Sequence, residues 1–550
     1  MEDKDKQKEQ QDQKKQKWTL MFFFASDNSL SASMLYQLKS IKTAGFNLRT
    51  NVLVHFDPHE RGIPSMIFEI NRTEKKGKRK SRVGDEQDPR VRDLAGDQVE
   101  PEITEDQRRL NSASEADDLP AEEALKHFLD YSRKNYPAEK YMLFLVGHGL
   151  VVGRDAFLPD DNPNSGISLV ELGNILRNFC WEIGIKDETL ELVGMHSCSM
   201  SAVEVAYQLK GTASYMMASE GLSFVGAWPY RQMVQKIFCA IGDTNAKSFE
   251  VSTLMKRLHE LCLHNSTDFI FAGYSSDLCL CSLEPKRVEA LSKPIERLSK
   301  ALQAGLEDAR GEELIQLAHL ESQSYFQELY TDLNDFCLCL MDKCEGAGDP
   351  VYTEMYEACE DVTEILKPEP EEGKDSKKAK GKDSDKSKRR RGPIVQADFF
   401  GPDCQFSYGL SIYFPWARPV EDANEHFIRN YQTYDFVTEL GGASWLEFLE
   451  AYFETTQRDQ RKIRIPAELQ ETLKRATAMF NPMAFRTGTP AHPVSALTGK
   501  DSPADAGGEF SYSFIKNYPR KFAITPRALK VFEEDEKGQK KDNKSKNKKK

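Results

Sequence analysis

The sequence predicts an α/β fold built on a mostly parallel central sheet of six or more strands, with helices on both faces. Two observations predict it. Short apolar runs alternate with segments of helical periodicity, and the apolar runs have the length of buried strands. Because crossover connections between parallel strands are right-handed, alternating elements place helices on both faces of the sheet. The carboxyl ends of the strands then share one edge, where we expect the chemistry.

The first predicted elements follow one another from Trp18. WTLMFFFAS at 18–26 predicts a buried strand, and the turn SDNS leads into a segment with helical spacing. TNVLVHFDP at 50–58 predicts the second strand, and SMIFEINR is interpreted as its hairpin partner. SEADDLPAEEALKHFLDYSRKNY then predicts a capped helix, because acids lie near its start and bases near its end.

The later elements carry the reactive side chains. YMLFLVGHG at 141–149 predicts the third strand and LELVGMHSC at 190–198 the fourth, with the helical segment GISLVELGNILRNF between them. SAVEVAYQL predicts a helix and SYMMASEG a fifth strand. Residues 245–365 are predicted to be mainly helical. SYGLSIYFP at 407–415 predicts the sixth strand, and SWLEFLEAYFE at 444–454 predicts a closing helix.

Charged segments divide the chain of 550 residues. Residues 1–17 are almost wholly Lys, Gln, Glu and Asp, which predicts a disordered tail, and one folded domain is predicted over 18–455. Within that domain, charged segments at about 72–108 and 367–393 predict flexible insertions. Residues 456–550 predict a largely irregular extension that ends in a Lys-rich tail.

Composition argues against several classes of protein. No apolar run approaches the roughly 20 residues of a membrane span, and no apolar stretch precedes the first strand as a secretory signal would require. The 11 cysteines are an odd number and lie mostly in hydrophobic runs, so we expect reduced thiols and a cytoplasmic location. Neither of the two CLC motifs has the two-residue spacing between cysteines that is typical of a zinc site, so zinc binding is not expected. The Lys-rich end is interpreted as solvated, so nucleic-acid binding is not expected.

His148 and Cys198 are the candidate reactive pair. Each follows a predicted strand, and they lie 50 positions apart at the same predicted sheet edge. Cysteine attacks as the thiolate and needs a base, which histidine usually provides. The backbone N–H groups of Cys198 and Gly149 could stabilise an oxyanion, because glycine lets the main chain approach a carbonyl closely. The alternative is that both side chains are core residues that end strands.

Five segments resemble the clostripain-like cysteine peptidases, relatives of caspases, legumains and gingipains. In family order they are WTLMFFFASDNSL, YPAEKYMLFLVGHG, LVGMHSCSMSAVEVAYQL, ASEGLSFVGAWPY and SYGLSIYFP, and the resemblance runs from about Trp18 to Glu454. It implies a caspase-like three-layer α/β/α sandwich and a cysteine endopeptidase that acts through a thioester. It also implies that His148 is the base, that Cys198 is the nucleophile, and that Gly149 and Cys198 supply the oxyanion N–H groups.

One position departs from the family pattern and leaves specificity open. The family usually has an acid two residues before the cysteine, where it selects Arg or Lys ahead of the cut. This chain has His196 there. Either a protonated His196 reads a polar or acidic residue, or His196 makes a local hydrogen bond and another acid such as Glu220 reads the substrate. Trp228 is either an apolar wall of the pocket or a core residue.

Asp160 and Asp161 match an Asp pair of the family. We expect them to organise the loop after the His148 strand, although calcium, on which some relatives depend, could bind there. Asp27 is interpreted as a turn organiser. No cofactor is required for the chemistry, and no metal site is assigned.

A protein or peptide is the expected substrate, and a regulatory protein is a further candidate partner because proteolysis in the cytoplasm must be controlled. Many relatives are zymogens, and the basic segments KKGKRKSR and KRRRG have the character of cleavage targets. The competing hypothesis is a catalytically silent homologue that binds a partner or a peptide strand.

Overall fold

The computed structural model describes the folded core of the chain. The described residues are 16–45, 47–59, 65–70, 91–94, 119–149, 157–161, 164–183, 190–242, 250–266, 275–326, 328–346, 348–368, 391–418, 430–439 and 442–462. The basic segment KKGKRKSR and most of KRRRG lie outside them, as do most of the predicted N-terminal tail and C-terminal extension.

The strands and helices are numbered in chain order. The strands are β1 (Gln16–Phe24), β2 (Thr50–Phe56), β3 (Met66–Ile70), β4 (Val91–Leu94), β5 (Ala138–Val146), β6 (Phe157–Asp161), β7 (Asn164–Ile167), β8 (Leu190–His196), β9 (Ala213–Ala218), β10 (Ser276–Ser282), β11 (Ser324–Tyr325), β12 (Tyr330–Asp332), β13 (Ile394–Phe400) and β14 (Ser411–Tyr413). The helices are α1 (Ser31–Lys42), α2 (Ala121–Asn135), α3 (Leu169–Glu182), α4 (Val203–Leu209), α5 (Tyr230–Gly242), α6 (Val251–Asn265), α7 (Pro285–Val288), α8 (Ser292–Gly305), α9 (Ala309–Glu321), α10 (Leu333–Cys344), α11 (Pro350–Ile365), α12 (Asp435–Thr438) and α13 (Gly442–Lys462).

A nine-stranded mixed sheet forms the centre of the described fold, in the order β13-β10-β9-β8-β5-β1-β2-β3-β4. The run from β9 to β2 is parallel throughout. Strand β3 is antiparallel to β2, and β10 is antiparallel to both of its neighbours. The prediction of a mostly parallel sheet of six or more strands is confirmed.

Helices cover both faces of this sheet, as predicted. In β1, Met21 and Phe23 join the core on one face, whereas Phe22 and Phe24 join the core on the other. The core on the first face includes residues of α2, α3, α4, α8, α9, α10, α11 and α13, and the core on the second includes residues of α1, α5 and α6. The continuous apolar run at 20–24 of β1 is therefore buried on both sides of the sheet, which makes the architecture a three-layer α/β/α sandwich.

The strand predicted at 407–415 forms, but it is shorter than predicted and lies outside the central sheet. Only β14 forms there, and it belongs to a separate three-stranded sheet with β11 and β12. The central sheet is completed instead by β10 and β13. Strand β10 lies inside 245–365, the range predicted to be mainly helical. Its apolar stretch, Leu278–Cys281, is too short to distinguish a strand from part of a helix by period.

Element boundaries differ from the prediction at three places. Strand β4 lies inside the predicted insertion at 72–108 and forms by parallel pairing with β3, which no local pattern reveals. Strand β1 begins at Gln16, within the predicted tail, and α13 continues to Lys462, beyond the predicted domain end at 455. Among the described residues, no helix combines the length and the apolar character that crossing a membrane would require.

The strand register positions the candidate site. Val146 of β5 pairs with His196 of β8, and the parallel pairing puts both strand ends at the same level. His148 and Cys198 each follow two residues later. The central parallel strands thus place the two residues at neighbouring positions on the carboxyl edge.

Candidate active site

Gly149 and Cys198 are in direct main-chain contact. A Cβ atom added to Gly149 would lie 1.8 Å from the carbonyl oxygen of Cys198 and 2.9 Å from its backbone nitrogen. Only glycine allows this approach, because any side chain would overlap main-chain atoms that cannot move aside. The structure therefore brings together His148, Gly149 and Cys198, as the sequence predicts.

His148 is half-buried and held by two neighbouring segments. Its Nε2 lies 3.4 Å from the hydroxyl oxygen of Ser29, in the turn after β1. Its carbonyl oxygen accepts a hydrogen bond of 3.3 Å from the backbone N–H of Leu158, at the start of β6. Leu158 has a φ of +51°, an uncommon left-handed conformation for a side chain branched at Cγ. The imidazole is thus placed by the ends of three strands.

The Cys198 thiol lies against the loop that follows β9. The backbone N–H of Ser223 points at Sγ across 3.4 Å. Burial raises the pKa of the Cys198 thiol, the N–H of Ser223 lowers it, and the negative charge of Asp277 raises it further. The net direction is upward, so the thiol resists ionisation until a base accepts its proton.

The turn that carries Cys198 is tied to the same loop. Ser199 has a φ of +57°, and its N–H donates to the carbonyl oxygen of Gly221 at 3.0 Å. Asp277, at the start of β10, accepts hydrogen bonds from the backbone N–H groups of Glu220 (2.6 Å) and Gly221 (2.9 Å). The nucleophile turn and the β9 loop therefore share one buried network.

His196 is fully buried and uses both ring nitrogens. Nε2 donates to the carbonyl oxygen of Phe224 at 2.7 Å, so Nδ1 accepts from the Tyr230 hydroxyl at 2.6 Å. Burial lowers the pKa of His196 to about 4, against a smaller upward effect of the Phe224 carbonyl. A protonated His196 that reads an acidic side chain does not fit this environment. The local hydrogen-bond alternative does.

Trp228 is a core residue, which is the second of its two predicted alternatives. It stacks on His196 with a ring separation of 4.6 Å and an angle of 7°, and it meets Phe144 edge to face. The side chain is buried in the layer that α1, α5 and α6 form with the sheet. Trp228 therefore supports His196 from behind rather than presenting a surface to a ligand.

Glu220 is also buried, and its carboxyl group is held inside the protein. Oε2 accepts hydrogen bonds from the N–H of Gly409 (2.9 Å) and the Tyr325 hydroxyl (3.4 Å). Burial, together with the charges of Asp332 and Asp277, raises the pKa of Glu220 well above its ordinary value. Burial and the raised pKa both disfavour the charged form of Glu220, so this carboxyl group is poorly suited to bind a basic side chain of a substrate.

Asp160 and Asp161 lie in the β6–β7 hairpin beside the site. The N–H of Asp161 donates to the carbonyl oxygen of Asp27 at 3.0 Å. His59 Nδ1 lies 2.8 Å from Asp27 Oδ1 and 3.7 Å from Asp161 Oδ2. Burial raises the pKa of Asp161, the charge of Asp27 adds to this, and His59 opposes it. These contacts organise the loops after β1, β2 and β6.

Within the described residues, two carboxylates beside the site contact a histidine. Calcium takes about six to eight oxygen ligands, whereas His59 Nδ1 lies 2.8 Å from Asp27 Oδ1 and 3.7 Å from Asp161 Oδ2. The part of the chain that the structure describes contains no group of three or more His, Cys, Asp or Glu side chains suited to a metal. We therefore derive no step of the chemistry through a metal ion.

Four residues of the site escape prediction from the sequence: Ser29, Ser223, Asp277 and Tyr230. Asp277 follows from β10, which the helical interpretation of 245–365 conceals. Ser223 contributes only its backbone N–H, which almost every residue has, so its residue type gives no signal of this role. Ser29 lies in a predicted turn and Tyr230 in a segment that resembles the family. Both are common polar residues there, so nothing in the local sequence marks them as part of the site.

Comparisons with known proteins extend the resemblance. A peptidase C11 model described as the clostripain family matches residues 22–452. Clostripain of Hathewaya histolytica is 24% identical over 367 residues, which is 59% of this chain and 65% of that relative, slightly less than two thirds of its length.

Two solved structures are similar to the chain at low identity. An inactive zymogen C11 protease from Parabacteroides distasonis is 16% identical with a TM-score of 0.43, over 78% of this chain and 98% of that one. A secreted C11 cysteine protease from Bacteroides thetaiotaomicron, in complex with an irreversible peptide inhibitor, is 14% identical with a TM-score of 0.42, over 80% and 99%.

Proposed function

The chain belongs to the clostripain family, and from that premise we propose that it is a cysteine endopeptidase with Cys198 as nucleophile and His148 as base. The register of β5 and β8 carries this proposal, since it places the two residues at neighbouring positions on the sheet edge. The main-chain contact between Gly149 and Cys198 supports it. A protein or peptide is the proposed substrate.

The proposed chemistry is acyl transfer in two halves. His148 accepts the Cys198 proton, Sγ attacks the peptide carbonyl carbon, and the carbonyl electron pair moves to oxygen. The N–H groups of Gly149 and Cys198 stabilise that oxyanion. The C–N bond then breaks, His148 protonates the leaving amine, and a thioester remains. Water, deprotonated by His148, hydrolyses the thioester and returns the thiol.

We propose that the residue before the cut is not selected as Arg or Lys by His196 or Glu220. His196 is neutral and fully hydrogen-bonded, and the Glu220 carboxyl is buried with a raised pKa. Selection of a buried cation needs a fixed negative charge opposite it. Neither residue provides one, so selection of Arg or Lys would require a different acid.

We propose a cytoplasmic protein that needs no cofactor and is controlled by a regulatory protein or by activation of a zymogen. All eleven cysteines lie in the described residues, and no disulfide is formed among them, which supports a reducing compartment. The raised pKa of the Cys198 thiol supports a resting state of low reactivity.

The test is cleavage of a fluorogenic peptide library varied at the residue before the cut, with and without calcium. Cys198→Ala should abolish cleavage, whereas Cys239→Ala, which removes an exposed thiol, should leave it unchanged. Preference for Arg or Lys would mean that an acid other than Glu220 supplies the charge, and loss of that preference in Glu220→Gln would contradict the specificity proposal. A need for calcium would contradict the cofactor proposal.

The competing function is a silent homologue that binds a peptide strand. It is favoured if the protein cleaves no member of the library and Cys198 does not react with an electrophilic peptide. Reaction of Cys198 without cleavage would instead indicate a latent enzyme.

A further inference from the structure

The loop between β9 and α5, residues 219–229, lies directly on the Cys198 thiol. Its Ser223 N–H points at Sγ across 3.4 Å, and the Ser223 carbonyl oxygen lies 3.9 Å from the same atom. A peptide whose carbonyl carbon approaches Sγ must pass beside this segment, which we call the β9–α5 loop. Its position therefore controls how a substrate lies against the nucleophile.

Burial fixes the two ends of the β9–α5 loop but not its middle. Glu220 and Trp228 are buried, whereas Phe224 and Val225 are only half-buried and Gly226 is exposed. A short, partly exposed segment of this kind is ordinarily mobile unless its main chain is bonded elsewhere.

Side-chain donors from three distant elements hold the loop instead. His196, at the end of β8, donates to the carbonyl oxygen of Phe224 at 2.7 Å. Gln37, in α1, donates from Nε2 to that of Val225 at 3.1 Å. Asn265, at the end of α6, donates to the carbonyl oxygens of Gly226 (3.1 Å) and Ala227 (2.9 Å). Four consecutive carbonyl groups are thus turned toward the protein and bonded there.

Gln37 is the donor that also connects the loop to the histidine side of the site. Its side chain is buried, with 5% of its surface exposed. The helix that carries it begins at Ser31, just after Ser29, whose hydroxyl oxygen lies 3.4 Å from His148 Nε2. One rigid helix therefore contacts the neighbourhood of the base at its start and the neighbourhood of the nucleophile at its middle.

We propose that Gln37 is a positioning residue for the peptide substrate: it holds the β9–α5 loop against Cys198 and thereby sets substrate alignment. The inference rests on the proposed peptidase function and adds a determinant of specificity that lies outside the cleft. His196 acts in the same way from β8, which gives the residue at the family's acid position a role in loop placement rather than in charge selection.

The experiment compares two reagents at Cys198 in the full-length protein. A peptide chloromethyl ketone, its sequence taken from the best library substrate, requires alignment by the loop. Iodoacetamide is small and requires only access to the thiol. Mass spectrometry follows modification of Cys198, and exposed Cys239 serves as the internal reference in each sample.

Gln37→Met should slow the peptide reagent at least about tenfold, because a misplaced substrate loses its near-attack geometry. The iodoacetamide rate should not fall, since no contact to the small reagent is lost. KM for peptide cleavage should rise. Asn47→Leu is the matched control, because Asn47 makes an equivalent 3.1 Å amide bond to the Phe238 carbonyl, away from the loop. It should change neither rate.

Equal slowing of both reagents, no slowing of either, or the same effect in Asn47→Leu would overturn the proposal. If Gln37→Met does not fold, Gln37→Glu keeps the shape, removes the donor and carries the same expectation. If wild-type Cys198 reacts with the peptide reagent no faster than Cys239 and no peptide is cleaved, the proposed function itself fails and the role of Gln37 falls with it.

Discussion

Asp277 affects the Cys198 thiol in two opposing ways. Its charge raises the pKa of the thiol, which weakens the nucleophile at neutral pH. Its two carboxylate oxygens also accept the N–H groups of Glu220 and Gly221, and those bonds fix the start of the β9–α5 loop. Asp277 thus weakens Cys198 as a nucleophile and at the same time orders the β9–α5 loop.

Asp277→Asn should separate the two effects. Without the negative charge, the pH midpoint of Cys198 alkylation should move to lower pH, since the thiolate is no longer opposed by an anion. The amide can accept only one of the two N–H bonds, so the free energy of unfolding should fall by about 1–3 kcal/mol. Alkylation rates against pH and denaturant unfolding measure the two quantities.

The control for that variant is Asp361→Asn, which removes an equal charge from an exposed ion pair with Arg297 on the surface of α11. It should leave the alkylation midpoint unchanged. An unchanged midpoint in Asp277→Asn as well would show that burial alone sets the reactivity of Cys198.

At the scale of elements, the ends of β5 and β8 touch through main-chain atoms. The close contact between Gly149 and Cys198 leaves no space for a side chain. The same contact brings the two proposed oxyanion donors next to each other. The close approach of the two strand ends and the placement of the two oxyanion donors therefore depend on the same contact.

Gly149→Ala should force the two strand ends apart. The added Cβ would overlap the Cys198 carbonyl, so we expect a loss of kcat/KM of at least about a hundredfold and a destabilisation of about 1–3 kcal/mol from overpacking. Peptide cleavage and thermal unfolding give the two values. Gly242→Ala is the matched control, because its Cβ would meet its nearest atom at 3.8 Å, an ordinary contact. Full activity in Gly149→Ala would contradict this account of the edge.

The elements that the sequence predicts well are those with a strong local pattern. Strands β1, β2, β5, β8 and β9 are apolar runs buried on both faces, and they carry His148 and Cys198. Strands β4, β10 and β13 depend on pairing with distant strands, which leaves no local signal. For that reason Asp277 could not be predicted. The role of His196 could only be narrowed to two alternatives, because its partners Phe224 and Tyr230 are distant in the sequence.

Across the whole molecule, buried titratable groups lie on both sides of the sheet and act in opposite directions. His196 and His319 are buried and neutral, and burial lowers their pKa values to about 4 and about 3. Burial raises the pKa of Asp332 to about 7, and Asp335 adds to this. The histidines favour folding at neutral pH, whereas the carboxyl group favours folding under acidic conditions.

The signs follow from proton linkage. A histidine with a lowered folded pKa binds more protons when unfolded, so its contribution is lost as pH falls from about 6.5 toward the folded pKa. Asp332 binds its proton more tightly when folded, so it destabilises the fold as pH rises from 3.8 toward about 7. Because the two effects partly cancel, the pH dependence of wild-type stability cannot be attributed to the histidines or to Asp332. A variant that removes one titratable group can separate the two contributions.

His319 allows that assignment, because it lies far along the chain from the proposed catalytic pair. Its ring is stacked between Phe414 (3.8 Å) and Trp416 (4.2 Å), and Nδ1 contacts the Tyr452 hydroxyl. His319→Gln removes the titration and keeps an amide that can contact Tyr452. The variant should be less stable than wild type at pH 7, since the stacking is lost.

The difference between the two proteins should shrink by about 3 kcal/mol between pH 7 and pH 4, because only wild type pays for a neutral histidine that is charged when unfolded. Urea unfolding at each pH measures this difference, and Cys198 alkylation at pH 7 checks that the site is intact. A difference that stays constant with pH would mean that His319 takes up a proton in the folded protein, and the packing of α9 against α13 would then have to accommodate a buried cation.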